Sequence, residues 1–542
     1  MYSGSQSTLP LLRFSSHDWV RFEEQPLDKD RMKYSSQQTR ITGISRFMMR
    51  PVLPVILLCT ACSSGDSGPA PDSPLAMPMA LVVNQDDTTM TTLRLDGKGS
   101  PTVNTLSLGP AQTDEIGGVS FSIGEWIFVT HKTGNRVAFI DPIGAPAPIL
   151  EGFLEVNGPV RIGQRPSRIY RDPVDKEVLW TMNEGDPSTG IDTVRPCPAG
   201  SISVVHNSHL SVGGTTPHVS TTTCVSGVGE HFIAFSRPPA VTQEIAFVSS
   251  KTTGLISLLL ADPSYGDVRW GELQFLKIDL CDSTKETSLG YPPCDANVTT
   301  PNHSAPSGLF WSQATGKIYS YLSGYQTVIE VDPNTFTITR KADVTPPANT
   351  ALLDVGITPD SRFLFLTGED VISDASKVIG KIGIVNLTAT NSGLTVFSIP
   401  QLDNLRPAQF RFTPDGKRLY LTQSNSLTGL ATLPQAQNLI TDVLLVFDPS
   451  TLPLAPTFLT QIPLPPSDAH GLDVWVTGPQ GAGSAKGVVV TNATPGVNGT
   501  VSLIDAASNT ITATIPVGRN PKEVTVYYYG LVASDNQATP TW

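Results

Sequence analysis

The sequence has few charged residues and no dense cluster of positive charge. Only 15% of its 542 residues are charged, and the formal net charge is −12. Binding to a nucleic-acid backbone needs clustered lysine and arginine, so this composition argues against nucleic acid as a partner. The apolar run that follows Arg50 is too short to span a bilayer as a stable helix.

The sequence also lacks the short motifs by which many enzymes are identified. It contains no Gly-x-Ser-x-Gly elbow, no P-loop, no His-Glu-x-x-His, no EF-hand loop and no haem-attachment Cys-x-x-Cys-His. We therefore predict no catalytic residue and no bound cofactor from motifs.

Turn-forming residues and short β-type runs are abundant. The 45 glycines and 46 prolines separate runs of Val, Ile and Thr, which favours an all-β protein. Eight alternating apolar runs end in Asp or Asn, at 93–96, 137–141, 202–207, 256–262, 328–332, 382–386, 443–448 and 501–505. Their mean spacing of about 58 residues is typical of a propeller or solenoid. We expect each terminal Asp to cap the turn that follows.

The last repeat carries a family resemblance. It reads Val-Val-Thr-Asn at 489–492, Val-Ser-Leu-Ile-Asp at 501–505 and Ala-Thr-Ile-Pro-Val-Gly at 513–518, with weaker copies at 128–131 and 420–423. These segments resemble the YVTN family of β-propeller repeats. The resemblance covers residues 79–530 and implies a ring of four-stranded blades. It implies little about function, because propellers carry unrelated activities.

The two ends of the repeat region predict how the ring closes. Residues 80–84 read as a second strand with no first strand before it, and residues 523–529 read as a first strand with no second strand after it. Pairing them completes one blade and removes two free edges. This predicts eight blades, or seven if the unit at 166–224 or at 229–280 is an insertion. Residues 531–542 are expected to be a disordered tail.

The N-terminal region is interpreted as a targeting sequence. Residues 1–47 are expected to be disordered or to precede the true start at Met48 or Met49. Residues 48–61 resemble a bacterial lipoprotein signal peptide, which implies that Cys62 is lipidated and that Ser63 directs the protein to the outer membrane. Residues 62–78 would be a flexible tether. The alternative is an ordinary cleaved signal and a secreted or periplasmic protein.

Four cysteines lie in pairs within turn-rich segments. Cys197 with Cys224 and Cys281 with Cys294 are candidate disulfides in an exported protein. Each bridge would stabilise the fold by about 2–4 kcal/mol. The alternative is that these cysteines are reduced surface or core residues.

The starts of the predicted innermost strands should meet at one rim of the central channel. The titratable candidates there are Glu230, His231, His303, Asp354, His470, Arg519, Lys522 and Glu523. Several of them could hold a divalent metal ion. The alternative for the histidines is structural, since a His before Gly at a strand start suits hydrogen bonding between blades.

These observations together predict a non-enzymatic, monomeric envelope lipoprotein. Its propeller would bind a protein, a glycan or a small ligand, and its lipid would attach it to the membrane. The alternative is a periplasmic or surface enzyme of the lactonase type, or a haem- or quinone-linked oxidoreductase, with its site on the central rim.

Overall fold

The computed structural model describes most of the region predicted to be a propeller. The described residues are 77–95, 103–109, 116–121, 126–141, 148–155, 162–173, 178–185, 200–206, 217–225, 227, 229–237, 240, 244–261, 270–280, 304–344, 350–371, 378–390, 392–403, 407–423, 442–467, 470–476 and 484–529. Within them, 32 strands form eight four-stranded antiparallel sheets. The predicted all-β class is confirmed.

Blade 1 contains both the first and the last strand of the described chain, and blades 2 to 4 follow it in sequence. Blade 1 consists of β1 (Met77–Asn84), β2 (Thr89–Arg94), β3 (Val103–Ser107) and the C-terminal strand β32 (Pro521–Tyr529). Blade 2 consists of β4 (Ile116–Phe121), β5 (Ile127–His131), β6 (Arg136–Asp141) and β7 (Ile149–Glu155). Blade 3 consists of β8 (Pro166–Arg171), β9 (Val178–Asn183), β10 (Ser201–His206) and β11 (His218–Cys224). Blade 4 consists of β12 (His231–Ser236), β13 (Ile245–Ser250), β14 (Leu255–Ala261) and β15 (Trp270–Asp279).

The other four blades, like blades 2 to 4, each consist of four consecutive strands. Blade 5 consists of β16 (Pro306–Ser312), β17 (Lys317–Leu322), β18 (Thr327–Val331) and β19 (Ile338–Asp343). Blade 6 consists of β20 (Thr350–Ile357), β21 (Phe363–Val371), β22 (Val378–Asn386) and β23 (Leu394–Asp403). Blade 7 consists of β24 (Pro407–Phe412), β25 (Leu419–Gln423), β26 (Val443–Asp448) and β27 (Thr457–Pro463). Blade 8 consists of β28 (Leu472–Val476), β29 (Ala485–Asn492), β30 (Asn498–Asp505) and β31 (Thr510–Arg519).

The ring closes as predicted. β32 pairs antiparallel with β1, from Met77 opposite Tyr529 to Asn84 opposite Pro521. β32 also contacts the innermost strands of blade 8 and blade 2, β28 and β4, so the two chain ends share blade 1. The predicted count of eight blades is confirmed, and the seven-blade alternative is wrong because the two doubtful units are blades 3 and 4.

The residue pattern of each strand reflects whether the strand lies inside its blade or at the outer edge. β29 lies between two other strands and between neighbouring blades, and its six residues 487–492 are all buried. The outermost strand β31 alternates exposed threonines with half-buried Ile511 and Ala513, because one of its faces meets solvent. Gly487 is required where it lies, since a Cβ there would overlap the Trp475 ring.

Within the described residues, Asp332, Asn386, Asp448 and Asp505 cap turns at the ends of third strands, as predicted. Asp505 accepts hydrogen bonds from the Ser508 and Ala507 amides at 2.8 and 3.1 Å. Asp448 accepts one from the Ser450 amide at 2.9 Å. Each carboxylate satisfies backbone donors that the turn leaves without strand partners.

A one-residue irregularity recurs at the entrance of the innermost strands. The pairing register shifts between Pro166 and Arg168 in β8, and between Leu352 and Asp354 in β20. The register of β32 shifts in the same place, since Asn84 pairs with Pro521 and Val83 with Glu523. Such bulges turn the next side chain toward a different face. Here the next side chains are Arg168, Asp354 and Glu523.

The predictions for the two ends of the chain lie outside the described residues. These are the signal peptide, Cys62, residues 62–76 of the tether and the tail, and the same holds for Cys197, Cys281, Cys294 and His303. The last two residues of the predicted tether, Met77 and Pro78, belong to β1. Cys224 ends β11, and both cysteine pairings stay predictions. In the described part of the chain, no helix is long and apolar enough to cross a membrane.

Candidate functional site

A polar cavity lies at the face of the ring where the innermost strands begin. Its volume is about 260 Å³, and residues from blades 1 to 4 enclose it. It is lined by Val83, Gln85, Ile116, Lys132, Ser167, Arg168, Glu184, Glu230, Lys522 and Glu523. Because these residues belong to strand starts and to turns after second strands, we call this space the channel-mouth cavity.

Arg168 and Glu230 form the first ion pair of the cavity. The guanidinium of Arg168 donates to Glu230 and lies 4.7 Å from the centre of the Phe232 ring. Lys251 donates to the other Glu230 oxygen at 2.9 Å. Burial raises the pKa of Glu230, but the charges of Arg168 and Lys251 outweigh burial and hold that pKa below its ordinary value.

Glu184 anchors a second ion pair at the opposite wall. Lys132 Nζ lies 3.1 Å from Glu184 Oε1, and Arg165 Nη2 lies 3.8 Å from Oε2. The side chains of Lys132 and Glu184 are only 16% and 13% exposed. The cavity walls are therefore held by charged groups that already neutralise one another.

Glu523 differs from the other acids of the cavity. Burial raises its pKa to about 7, although Arg168, Arg411 and Lys522 act against burial. Among the described residues, none donates a hydrogen bond to the Glu523 carboxyl group and none forms an ion pair with it. Its neighbour Lys522 is exposed at the mouth, and no described residue pairs with its ammonium group.

Two further carboxyl groups share the interior of the channel with Glu523. Burial raises the pKa of Asp354 to about 6, against the Val355 amide and the charges of Arg411 and Arg168. Burial also raises the pKa of Asp473, which accepts bonds from the Val526 and Val474 amides at 2.6 and 2.8 Å. Arg411 acts on all three acids, so side chains from β20, β24, β28 and β32 converge around the channel.

The predicted rim residues divide into three groups. Glu230, Lys522 and Glu523 line the channel-mouth cavity, and Asp354 lies outside that lining, where Arg411 and Arg168 act on it. His231 is 1% exposed at the start of β12. Arg519 is exposed and donates to the Gly496 carbonyl at 3.0 Å.

His470 joins two blades. Its Nε2 lies 3.0 Å from Asp442 of blade 7, and its Nδ1 lies 3.0 Å from the Thr491 carbonyl oxygen of blade 8. Its side chain is fully buried. Across the described residues, no three His, Cys, Asp or Glu side chains are grouped closely enough to hold a metal ion.

Several residues of the site are not identified by the sequence analysis. They are Lys132, Arg168, Glu184, Arg411 and Asp473. Arg168 is the third residue of β8 and follows the bulge of that strand, and Asp473 is the second residue of β28. The usable signal would have been a charged residue near the start of an otherwise apolar innermost strand.

No family model matches this sequence, and no curated protein matches it. Solved structures do match. A dihydro-haem d1 dehydrogenase, NirN, in complex with DHE is 12% identical with a TM-score of 0.49, over 86% of this chain and 78% of that one. AztD of Citrobacter koseri is 12% identical with a TM-score of 0.47, over 84% and 98%. The periplasmic gluconolactonase PpgL of Pseudomonas aeruginosa is 12% identical with a TM-score of 0.43, over 84% and 100%. At these values the likenesses carry no argument about function.

Proposed function

We propose that this chain is a β-propeller binding protein that holds a small polar ligand in its channel-mouth cavity. One observation carries the proposal: Glu523 lines that cavity half-buried, and none of the described residues donates a hydrogen bond to its carboxyl group. A polar group held partly out of water without a partner costs free energy. A ligand that supplies the partner recovers this free energy, which gives the cavity an affinity for hydrogen-bond donors.

The size of the cavity limits the ligand. A volume of about 260 Å³ is close to the lower end of ligand pockets, which begin near roughly 300 Å³. A metabolite or one unit of a larger molecule fits such a space, whereas a folded protein segment does not. Among the three ligand classes expected from the sequence, a small ligand is therefore favoured.

The walls are prepared for binding. The pairs Arg168–Glu230 and Lys132–Glu184 fix four charged side chains before a ligand arrives. Binding then loses less side-chain entropy than it would with free lysines and glutamates. Glu523 and Lys522 remain as the charged groups through which a ligand is recognised.

A ligand screen with a blocked cavity tests the proposal. The variant Gln85→Trp places a large ring at the mouth, and Thr514→Trp on the exposed face of β31 is the matched control. We expect thermal-shift and saturation-transfer NMR hits that persist in Thr514→Trp and weaken by about tenfold or more in Gln85→Trp. Hits that bind both variants equally, or a metabolite library without hits, would contradict the proposal.

The proposal includes the position of the protein in the cell. We expect a monomer attached to the outer membrane through a lipid on Cys62, with the propeller exposed to small molecules of the envelope. Metabolic labelling with a fatty acid tests this, because Cys62→Ala should lose the label and leave the membrane fraction. Mass spectrometry after thiol alkylation tests the bridges Cys197–Cys224 and Cys281–Cys294.

A second candidate function is hydrolysis of a lactone. The observation that favours it is the pKa of Glu523, about 7, since a general base works best with a pKa near the working pH. Turnover of a lactone panel that Glu523→Gln reduces by about 10²-fold or more, within the range of general-base catalysis, would establish the enzyme. The visible spectrum of the untagged protein separately tests for a haem or quinone.

A further inference from the structure

Three carboxyl groups around the channel, those of Asp354, Asp473 and Glu523, form no direct ion pair with the described residues. Glu230, by contrast, engages both Arg168 and Lys251 in direct ion pairs. Arg411 acts on all three unpaired acids, Arg168 also acts on Asp354 and Glu523, and Lys522 also acts on Glu523. A carboxylate held partly out of water without a direct partner is costly, so Glu523 in the lining of the cavity is open to a cation.

The charges that remain open in the cavity are arranged in depth. Glu523 is the inner group, and Lys522 is exposed at the mouth on the adjacent position of β32. The two wall pairs, Lys132–Glu184 and Arg168–Glu230, are neutral as pairs. A ligand therefore meets a negative site inside and a positive site at the entrance.

We infer that the channel-mouth cavity takes a small zwitterion, with its ammonium group against Glu523 and its anionic group against Lys522. This inference rests on the proposed function and names its ligand class. The ammonium supplies both a hydrogen-bond donor and a directly bound positive charge, neither of which the described residues give to Glu523. A hydroxyl group in its place supplies only the donor, and a second carboxylate supplies neither.

Binding of such a ligand should release protons. A cation beside Glu523 favours the ionised carboxylate and lowers its pKa, so the proton held near neutral pH leaves. Arg168, Arg411 and Lys522 already act on this group, and Lys132, Glu184 and Glu230 lie across the cavity. Glu523 has a pKa of about 7, so up to about half a proton is released from it at pH 7. Asp354, on which Arg411 and Arg168 also act, has a pKa of about 6 and holds little of its proton at that pH.

A matched ligand series tests the inference on the intact protein. Calorimetry at about pH 7 compares ε-aminohexanoate with ε-hydroxyhexanoate, aminohexanol and hexanediol, and includes the shorter zwitterion γ-aminobutyrate. We expect a zwitterion to bind about tenfold or more tightly than the hydroxy acid, because a charged donor replaces a neutral one. Repeating the titration in two buffers of different ionisation enthalpy measures the released protons.

Two variants and a control assign the groups. Glu523→Gln should weaken zwitterion binding by about tenfold or more and abolish the proton release. Lys522→Met should weaken it by about threefold, since that ammonium is exposed. Glu151→Gln, exposed on β7 and outside the cavity, should change neither quantity. Melting curves confirm that each variant is folded.

The outcomes separate the inference from the proposed function. If hydroxy acids or diols bind as tightly as both zwitterions, or if neither zwitterion binds, the inference is overturned. The proposed function stands in those cases when other library compounds bind in a manner that Gln85→Trp blocks. If zwitterions bind but protons are taken up, or Glu523→Gln has no effect, the assignment to Glu523 is wrong.

Discussion

Two carboxyl groups at one face of the ring differ from two at the other face in the direction of their pKa shifts. Asp448 and Asp505 end third strands, and hydrogen bonds from turn amides hold the pKa of each below its ordinary value. Glu523 and Asp354 lie near the starts of first strands, and burial raises their pKa values to about 7 and about 6. Antiparallel pairing puts those two sets of positions at opposite faces.

The difference comes from the donors that each face offers. A turn presents backbone amides that have no strand partner, and an aspartate satisfies them. At the channel face, burial raises the pKa values of Asp354, Asp473 and Glu523. Arg168 and Arg411 each act on more than one acid there. The aspartates therefore stabilise the fold at the turn face, whereas a carboxyl group at the channel face costs stability unless, like Glu230, it has its own ion-pair partners.

The largest effect is expected for Glu523→Gln. The folded protein holds the Glu523 proton more tightly than the unfolded chain does, so its contribution to stability falls as the pH rises from about 4.5 to about 7. The variant has no such proton. It should match the wild type near about pH 4 and exceed it by roughly 3 kcal/mol at about pH 8. Urea unfolding at both pH values measures the difference. A variant less stable than the wild type at about pH 8 would contradict the account of burial at the channel face.

A smaller effect of opposite sign is expected for Glu230→Gln in the same cavity. Arg168 would lose its carboxylate partner, which should cost about 2 kcal/mol of unfolding free energy, discounted for partial exposure. Because the folded pKa of Glu230 is lowered, the cost should disappear as the pH falls below about 4.

The exposed pair Arg340–Asp343 is the matched control for Glu230. Asp343→Asn should cost less than about 0.5 kcal/mol. Equal costs at Glu230 and Asp343 would show that a position in the cavity does not strengthen the ion pair, and would contradict this prediction.

Apart from the Asp343 control, the smallest effect is expected at the turn face. Asp505→Ala should cost about 1 kcal/mol, because the Ser508 and Ala507 amides lose their acceptor. Asp505→Asn keeps an acceptor oxygen and should cost roughly half as much. The contribution of the aspartate should be lost as the pH falls below about 4, since its folded pKa is lowered. Chemical unfolding at about pH 3 and about pH 7 measures it, and a cost that persists at low pH would contradict the charge-based account.

The fold could be predicted from the sequence because its signals are local. A terminal Asp, a Pro-Asp-Gly turn and alternating Val and Thr each specify a strand or a turn within a few residues. The closure of blade 1 followed from counting strand types at 80–84 and 523–529. The register of β1 on β32 could not be read in this way, because a bulge at Val83 and Asn84 shifts it by one residue.

The site could be predicted only in part. Glu230, Lys522 and Glu523 lie at strand starts, so sequence position alone brings them to one rim. Arg411 follows the entrance of β24, and its approach to acids of three other blades depends on ring geometry. His470 lies before Gly471 at a strand start, the pattern that suits hydrogen bonding between blades, and its partners are Asp442 just before β26 and the Thr491 carbonyl oxygen in β29.

The shared blade determines when the site can exist. Val83 and Gln85 come from the first described strand and the turn after it, whereas Lys522 and Glu523 come from the last. During synthesis, every other blade can form before the strand that supplies the two open charges has been made. The order of chain assembly thus makes the cavity the last part of the molecule to be completed, and a chain truncated before β32 would keep most of its blades yet have no site.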